Sequence, residues 1–333
     1  DLILEYSDTI RLAARPQLGP TTGDARLSDL SPDGVGIVIG DQSAWVDFET
    51  PLSGIDDLGS ATVELARAAR DLYPDEPMTS LEIALSGLDG QRLHRGTVLS
   101  TRRLSDHLMA VRIGPFPEFS SLGWDQSLTV FTFTDGRSIP DDLTVEMRRE
   151  MSIEDAPRGR SYTVRSFDGD GVMEIWMALH GDDPETTSTW ARTRSPGDPV
   201  AVFGPRGRFK EPDDVSRAVL VADESALGAA AAVADQLDAS IEVAVVGVVD
   251  HADHEFEPDL HREVTVRWLH AERGEARSDA VTSMLADVDA TGTYFWAAGE
   301  YDLTRAIRRH LRRERRIPAE QVAVSAYWRP GAH

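Results

Sequence analysis

The 333-residue chain contains no cysteine. That excludes disulfides, thiolate metal sites and cysteine nucleophiles, and it leaves any redox chemistry to a bound cofactor. Lysine is almost as scarce: Lys210 stands alone, and arginine supplies the rest of the 34 basic residues, against 57 acidic ones. The formal charge of -23 argues against a nucleic-acid binder, which needs a basic surface for phosphate neutralisation, and disfavours anionic membranes. No run of about 18 apolar residues is present, and the Ala-rich stretch "ALGAAAAVA" at 226–234 is too short to span a bilayer. No basic-then-apolar leader opens the sequence, so a cytoplasmic location is expected. G-x-G-x-x-G is missing too, so no Rossmann fingerprint can be claimed.

What is there is 41% hydrophobic residues, enough for a folded α/β multi-domain chain of two or three cores. Residues 1–86 alternate "GVGIVIG" and "AWVDFET" ahead of a helical pattern, "SATVELARAARDL", which reads as a small α/β domain closed by the turn "YPDEPM". From 90 to 210 the pattern changes to six short strands separated by Gly and Pro, as in an antiparallel β-barrel. From 215 to 333, continuous apolar strands such as "AVLVAD" and "GTYFWAAGE" alternate with helices. That is the pattern of a doubly wound parallel sheet, which binds ligands at the carboxyl ends of its strands.

The strand "RSYTVR" at 160–165 carries more polar side chains than a core strand needs. Alternation puts Arg160, Tyr162 and Val164 on one face and Ser161, Thr163 and Arg165 on the other. Tyr162 can lie against a planar ring, Thr163 can hydrogen-bond its edge, and Arg160 or Arg165 can reach a phosphate. Solvated arginines on an exposed barrel strand are the plainer alternative. Arg305, Arg308, Arg309, Arg312 and Arg316 recur at helical spacing and predict a basic stripe. It is either a solvated face or a dock for an anionic chelate or an acidic donor.

Seven segments then fall in a familiar order: "RSYTVR", "ALHG" at 178–181, Trp190, "PGDPVAVFGPRG" at 196–207, "ADESALGA" at 222–229, "WAAGE" at 296–300 and "AYWRPGAH" at 326–333. From about residue 90 onward the chain resembles the siderophore-interacting protein family, FAD-dependent ferric-siderophore reductases related to the ferredoxin reductases. The resemblance implies an FAD-binding barrel at 90–210 and an NAD(P)-binding-like domain at 215–333. It implies flavin contacts at Arg160, Tyr162, Thr163, Val164 and Arg165, with His180 on the adenine side. Where the family has a "GPAS" phosphate turn this chain has "DDPETTSTW", so Thr187, Ser188 and Thr189 are the phosphate candidates, each equally able to serve as a plain helix cap.

On the nicotinamide side the candidates are Asp223, Glu224, Ala298, Gly299 and Glu300, with Trp328 placed either over the flavin or in the core. The implied activity is reduction of siderophore-held Fe(III), with release as Fe(II). NADH, NADPH or ferredoxin would be the electron donor, and no protein metal ligand is required because the iron arrives chelated. A general flavin-dependent NAD(P)H oxidoreductase and a non-catalytic binding protein with weakened FAD affinity are the alternatives. Residues 1–86 look similar to the small α/β domain appended to some haem-utilisation and flavin-binding split-barrel proteins. No histidine precedes His94, so no haem ligand carries over.

Overall fold

The computed structural model describes residues 6–330 apart from 24, 55–56, 83–91, 124, 134–136, 138, 141, 145–146, 149–150, 153–154, 180–185, 208–211 and 213. The chain divides into two compact units: Asp1–Ser86 with Pro318–Glu320, and Gly87–Ile317 with Gln321–His333.

In the first unit, α1 (Ser7–Leu18) and α2 (Leu58–Leu72) pack with an antiparallel sheet of β1 (Ala25–Ser31), β2 (Gly34–Ile39) and β3 (Gln42–Asp47), in that order. Val35, Ile37 and Ile39 of β2 are buried with Ile10, Ala13 and Ala14 of α1. Ala61, Leu65 and Ala69 of α2 join them, at the four-residue spacing that aligns side chains on one helix face. The sequence reading lacked α1 and β1. Pro16 interrupts the helical pattern of α1, and β1 is a mostly exposed edge strand. Arg70 closes the end of α2: it donates to both carboxylate oxygens of Glu82, at 2.6 and 2.8 Å, and to the carbonyls of Tyr73, Glu76 and Pro77. This hydrogen bonding holds the Glu82 carboxyl down at about 2.

In the second unit, β4 (Arg92–Ser105), β5 (Leu108–Gly114), β6 (Ser127–Thr132), β7 (Arg158–Phe167), β8 (Met173–Ala178) and β9 (Pro199–Arg206) close a barrel in the order β4-β5-β8-β7-β6-β9. Val98, Val111, Leu128, Val164, Ile175 and Val202 fill it, and α3 (Thr187–Thr193) contributes Trp190 and Ala191 to the same core. Gly171 has φ +85, and a Cβ there would stand 2.6 Å from the Phe116 carbonyl oxygen. Only glycine permits that approach.

The parallel sheet runs β12 (Thr265–His270), β11 (Glu242–Val249), β10 (Arg217–Asp223), β13 (Thr293–Glu300), β14 (Val322–Trp328). On one face lies α4 (Leu227–Gln236), whose alanines are buried between Leu220 and Trp296 of the sheet and Leu108, Ala110 and Trp176 of the barrel wall. A helix enclosed on both sides by other elements needs apolar residues on both faces, as α4 has from Leu227 to Ala234, and small side chains let its neighbours close in. Val281 and Leu285 of α5 (Glu275–Ala286) and Leu303 and Ile307 of α6 (Tyr301–Arg309) cover the other face. The chain leaves β10 first toward β11 and later returns on its other side as β13, so the C-terminal ends of β10 and β13 bound the crevice where such sheets take ligands.

After Arg309 the helix widens into a π turn over His310–Glu314, with the Arg315 N–H reaching the His310 carbonyl at 2.9 Å. That widening re-aims the residues that follow and dismantles the expected stripe. Arg305, Arg309 and Arg316 are exposed, whereas Arg312 is buried and donates to the Ile317 carbonyl, and Arg308 donates to that of Val324. Among the described residues, no helix is long and apolar enough to cross a membrane.

Candidate functional site

On β7, Tyr162 rests half-buried against the barrel core and gives its hydroxyl proton to Thr187 Oγ1 at 2.8 Å. Burial pushes the phenol up to about 12, opposed by the Thr187 hydrogen bond and the Arg160 charge. Arg160 is exposed and bonds its neighbour's carbonyl, Gly159 O, at 3.3 Å. At the start of α3, Thr186 is the cap, accepting from the Thr189 N–H at 3.3 Å. Ser188 is buried and donates to the Ala178 carbonyl at 3.3 Å. Of the three hydroxyl candidates, Thr187 therefore stands beside Tyr162, Ser188 ties α3 to the barrel, and Thr189 takes part in the cap. His180 lies outside the described residues.

Val164 points into the barrel core. Between Val164 and Ser166 the pairing with β8 slips by one residue, and Arg165 is the extra residue of this bulge. Its guanidinium is buried, 2.7 Å from Asp235 of α4, donates to the Asp259 carbonyl at 2.7 Å, and lies 5.3 Å from the Trp176 ring centre. This corrects the expectation of a phosphate ligand at Arg165: its charge is already matched, and it braces the barrel against α4.

Thr163 faces the C-terminal strand instead. Its hydroxyl lies 3.1 Å from the Tyr327 hydroxyl, which donates its one proton to Asp125 Oδ1 at 2.9 Å and so must accept from Thr163. Trp296 Nε1 donates to Asp125 Oδ2 at 3.3 Å. Asp125 is buried and has φ 47, a conformation aspartate tolerates better than most residues. Sequence reasoning missed Asp125 and Tyr327. The signal available was alternation on β14, which puts Tyr327 on the face opposite Trp328.

At the crevice, Asp223 Oδ1 accepts from the Ser225 N–H and hydroxyl at 2.9 and 2.6 Å. Oδ2 accepts from the Glu300 N–H at 2.8 Å and the Trp328 indole at 2.9 Å. Gly299, at φ +146, makes room for this carboxylate: a Cβ would stand 2.5 Å from Asp223 Cγ. The space that the missing side chain of Gly299 leaves is occupied by Asp223. Ala298 packs in the core with Ala222 and Trp296. Trp328 belongs to this cluster, with the Arg273 guanidinium 5.1 Å from its ring centre. Burial raises the carboxyls of Asp223 and Glu300 above the usual range, Arg277 opposing it at Glu300.

Beside Asp223, buried Glu224 faces two groups: His254 Nδ1 at 3.4 Å and the fully buried Arg277, Nη1 at 3.7 Å. Arg277 also holds Asp250 at 2.6 Å. The His254 ring stacks on His107 of the β4–β5 turn, with centroids 3.5 Å apart and planes inclined by 29°. Burial, and then the neighbouring His254, hold the His107 imidazole below its ordinary value. None of this group except Glu224 was foreseen; "HADH" at 251–254 was the one visible hint.

Comparison with known proteins converges on one family. A model described as the siderophore-interacting FAD-binding domain matches residues 97–209, and one described as siderophore-interacting protein matches residues 215–331. The NADPH-dependent ferric-chelate reductase of Escherichia coli (strain K12) is 28% identical over 252 residues, which cover 71% of this chain and 93% of that protein. A solved structure of a siderophore utilization protein from T. fusca is 26% identical with a TM-score of 0.60, covering 73% of this chain and 95% of its own. The ferredoxin reductase in carbazole 1,9a-dioxygenase, 17% identical with a TM-score of 0.54 over 72% of this chain and 68% of its own, shares the fold.

Proposed function

Because residues 97–209 and 215–331 of the chain belong to the siderophore-interacting protein family, we propose that it is an FAD-dependent reductase that converts a ferric siderophore to weakly chelated Fe(II). The observation that carries this reading is the FAD-binding family match falling on a closed barrel whose β7 presents Tyr162 beside Arg160 and Thr187.

The residues present fit a flavin on the β7 side. Tyr162 offers an aromatic surface fixed by its bond to Thr187, Arg160 is an exposed cation able to meet a phosphate, and the Thr163–Tyr327–Asp125 chain holds hydroxyls at the strand edge. Arg165 is not among them. Bound FAD supplies a two-electron acceptor that can pass electrons on singly, chemistry no side chain of this cysteine-free protein provides. The protein's part is to bind, orient and exclude water. Tyr162, with its phenol pushed up to about 12, stays protonated at neutral pH and keeps its hydrogen bond. The crevice at Asp223, Gly299 and Glu300 is where the nicotinamide nucleotide approaches, and the ferric chelate is the substrate.

NADPH is the donor in the name of the Escherichia coli relative, and a nicotinamide donor in the cytoplasm is our reading here. Arg308 and Arg312 donate to backbone carbonyls, which leaves Arg305, Arg309 and Arg316 as the exposed cations of the stripe that an acidic protein donor would meet. The test is to purify the protein, record its absorption spectrum with and without added FAD, and follow Fe(II) capture by ferrozine under argon. The ferric siderophore would be supplied with NADH, NADPH or reduced ferredoxin in turn. Flavin uptake with nicotinamide-driven Fe(II) release is expected. A protein that takes up no FAD, or that holds FAD without reducing ferric chelates, overturns the proposal.

A further inference from the structure

We propose that His107, Asp253 and His254 form a binding site for a divalent first-row transition metal, with Glu224 and Arg277 as its supporting shell. Single ligand atoms from the three residues lie within 4.8 Å of one another. The stronger observation is how His254 is held. It is 10% exposed, its Nδ1 faces the buried Glu224 carboxylate at 3.4 Å, and its Nε2 lies 4.0 Å from Oδ1 of the exposed Asp253. A buried carboxylate on one ring nitrogen fixes the tautomer and leaves the other nitrogen's lone pair free, which is how metal-ligating histidines are usually oriented. Glu224 is fixed in turn by Arg277, a guanidinium with no exposed side-chain surface.

A second grouping, Glu224, Asp250 and His254, is equally compact, but its carboxylates are already claimed by Arg277 at 3.7 and 2.6 Å. A dication there would face a buried, fixed positive charge. Among the described residues, no arginine is paired with His107, Asp253 or His254, and the group is reachable from solvent through Asp253, 79% exposed. Two ligands of one tetrahedral ion stand roughly 3.4 Å apart when each bond is about 2.1 Å, so small movements close the site. Stacked face to face, the two imidazoles cannot share an ion, and the His107 ring must turn its nitrogen inward. Its backbone is pinned, with the N–H on Ser105 Oγ at 3.1 Å and the carbonyl accepting from the Leu179 N–H at 2.8 Å. The change is therefore a side-chain rotation.

Two imidazoles and one carboxylate suit Zn²⁺, Fe²⁺ or Co²⁺ and leave coordination positions for water. Fe²⁺ is the ion a ferric-chelate reductase sets free, but the site rests on its geometry and not on that reading. Isothermal titration of the full chain with Zn²⁺ should give one equivalent, and Co²⁺ should give visible absorption bands of low coordination number. His107→Ala and His254→Ala should each abolish that equivalent, Asp253→Asn should weaken it, and Glu224→Gln should weaken it by roughly 10- to 100-fold as a supporting carboxylate does. His261→Ala, on an exposed residue outside the group, should leave it intact. No stoichiometric Zn²⁺ binding by the wild type overturns the proposal, as does wild-type binding in the His107 or Asp253 variants. His107 and Asp253 sit in turns, so their variants remain informative if Glu224→Gln fails to fold. None of these readouts depends on flavin or turnover.

Discussion

β7 and the ends of β10 and β13 both crowd polar side chains around the candidate site, and they differ in what those groups still have to give. An ionised carboxylate accepts about four hydrogen bonds. Asp223 already receives the Ser225 N–H and hydroxyl, the Glu300 N–H and the Trp328 indole, so it ties β10, β13 and β14 together and has nothing left for a ligand. Along β7, Arg160 is exposed and the Tyr162 ring is half-open. The same contrast runs within one strand, where Arg160 is exposed and Arg165, five residues on, is buried against Asp235. A polar residue in a site-like position signals a ligand only when its bonding capacity is not already used by the fold.

The most forceful way to break this comparison is at Arg165. Removing one member of a buried ion pair leaves the other charge uncompensated, at a cost of roughly 3–5 kcal/mol. Arg165→Met should lower stability by that order in denaturant titration of the flavin-free protein, and Arg165→Met/Asp235→Leu should recover much of it. A flavin-phosphate ligand would behave in the opposite way, with stability of the flavin-free protein unchanged and FAD affinity lost.

The next effect is at Tyr162. Tyr162→Ala should lose roughly 1–3 kcal/mol of FAD affinity from lost ring contact and burial, while Tyr162→Phe, which gives up only the bond to Thr187, should lose about 1 kcal/mol. Equilibrium dialysis of FAD measures both. Equal retention by all three proteins would remove β7 from the flavin site.

How far the sequence was legible follows the same line. The strands and helices of the parallel-sheet domain were readable because buried parallel strands such as "AVLVAD" and the alanine-rich α4 leave unmistakable patterns. Of the polar candidates, Tyr162 meets Thr187 at the β7 edge and Asp223 meets the Glu300 N–H at the crevice. What the sequence could not reveal was direction. The bulge that turns Arg165 inward costs one residue of register, and the π turn that buries Arg312 costs one residue of helix. Neither alters the periodicity enough to be seen. The partners of Asp125 and His107 lie far away in the chain, and only the barrel packed on the sheet brings them together. In the first unit, α1 escaped notice because Pro16 and its arginines mask the buried face of Ile10, Ala13 and Ala14.

A smaller effect sharpens the picture at the crevice. Burial raises the Glu300 carboxyl, Arg277 opposing and Asp223 adding to it. The folded protein then keeps this proton to higher pH than the unfolded chain, whose glutamate titrates near about 4.3. Stability therefore declines as pH rises from that value through the folded one and is level above it. Glu300→Gln removes the titration, so its denaturation midpoint should decline less than the wild type's over that interval. Parallel curves for the two proteins would mean that Glu300 is ionised freely in the fold and the crevice is more open than its contacts indicate.

The smallest effect is expected on the remnant of the arginine stripe. Arg309 is 66% exposed and lies 3.3 Å from Glu314, itself 52% exposed, where solvent screening leaves little net interaction. Arg309→Gln should leave the denaturation midpoint and nicotinamide-driven reduction of a ferric chelate unchanged. Arg312→Leu removes a buried donor from the Ile317 carbonyl and should cost about 1.5–3 kcal/mol, the usual worth of a hydrogen bond from a charged group. The pair separates two properties that the linear spacing made look like one. If Arg309→Gln instead raises KM for an anionic chelate and flattens its dependence on ionic strength, the exposed cations do steer substrate. Arg305 and Arg313, exposed on the same segment, would then be the next residues to neutralise, and the effects should accumulate with each charge removed.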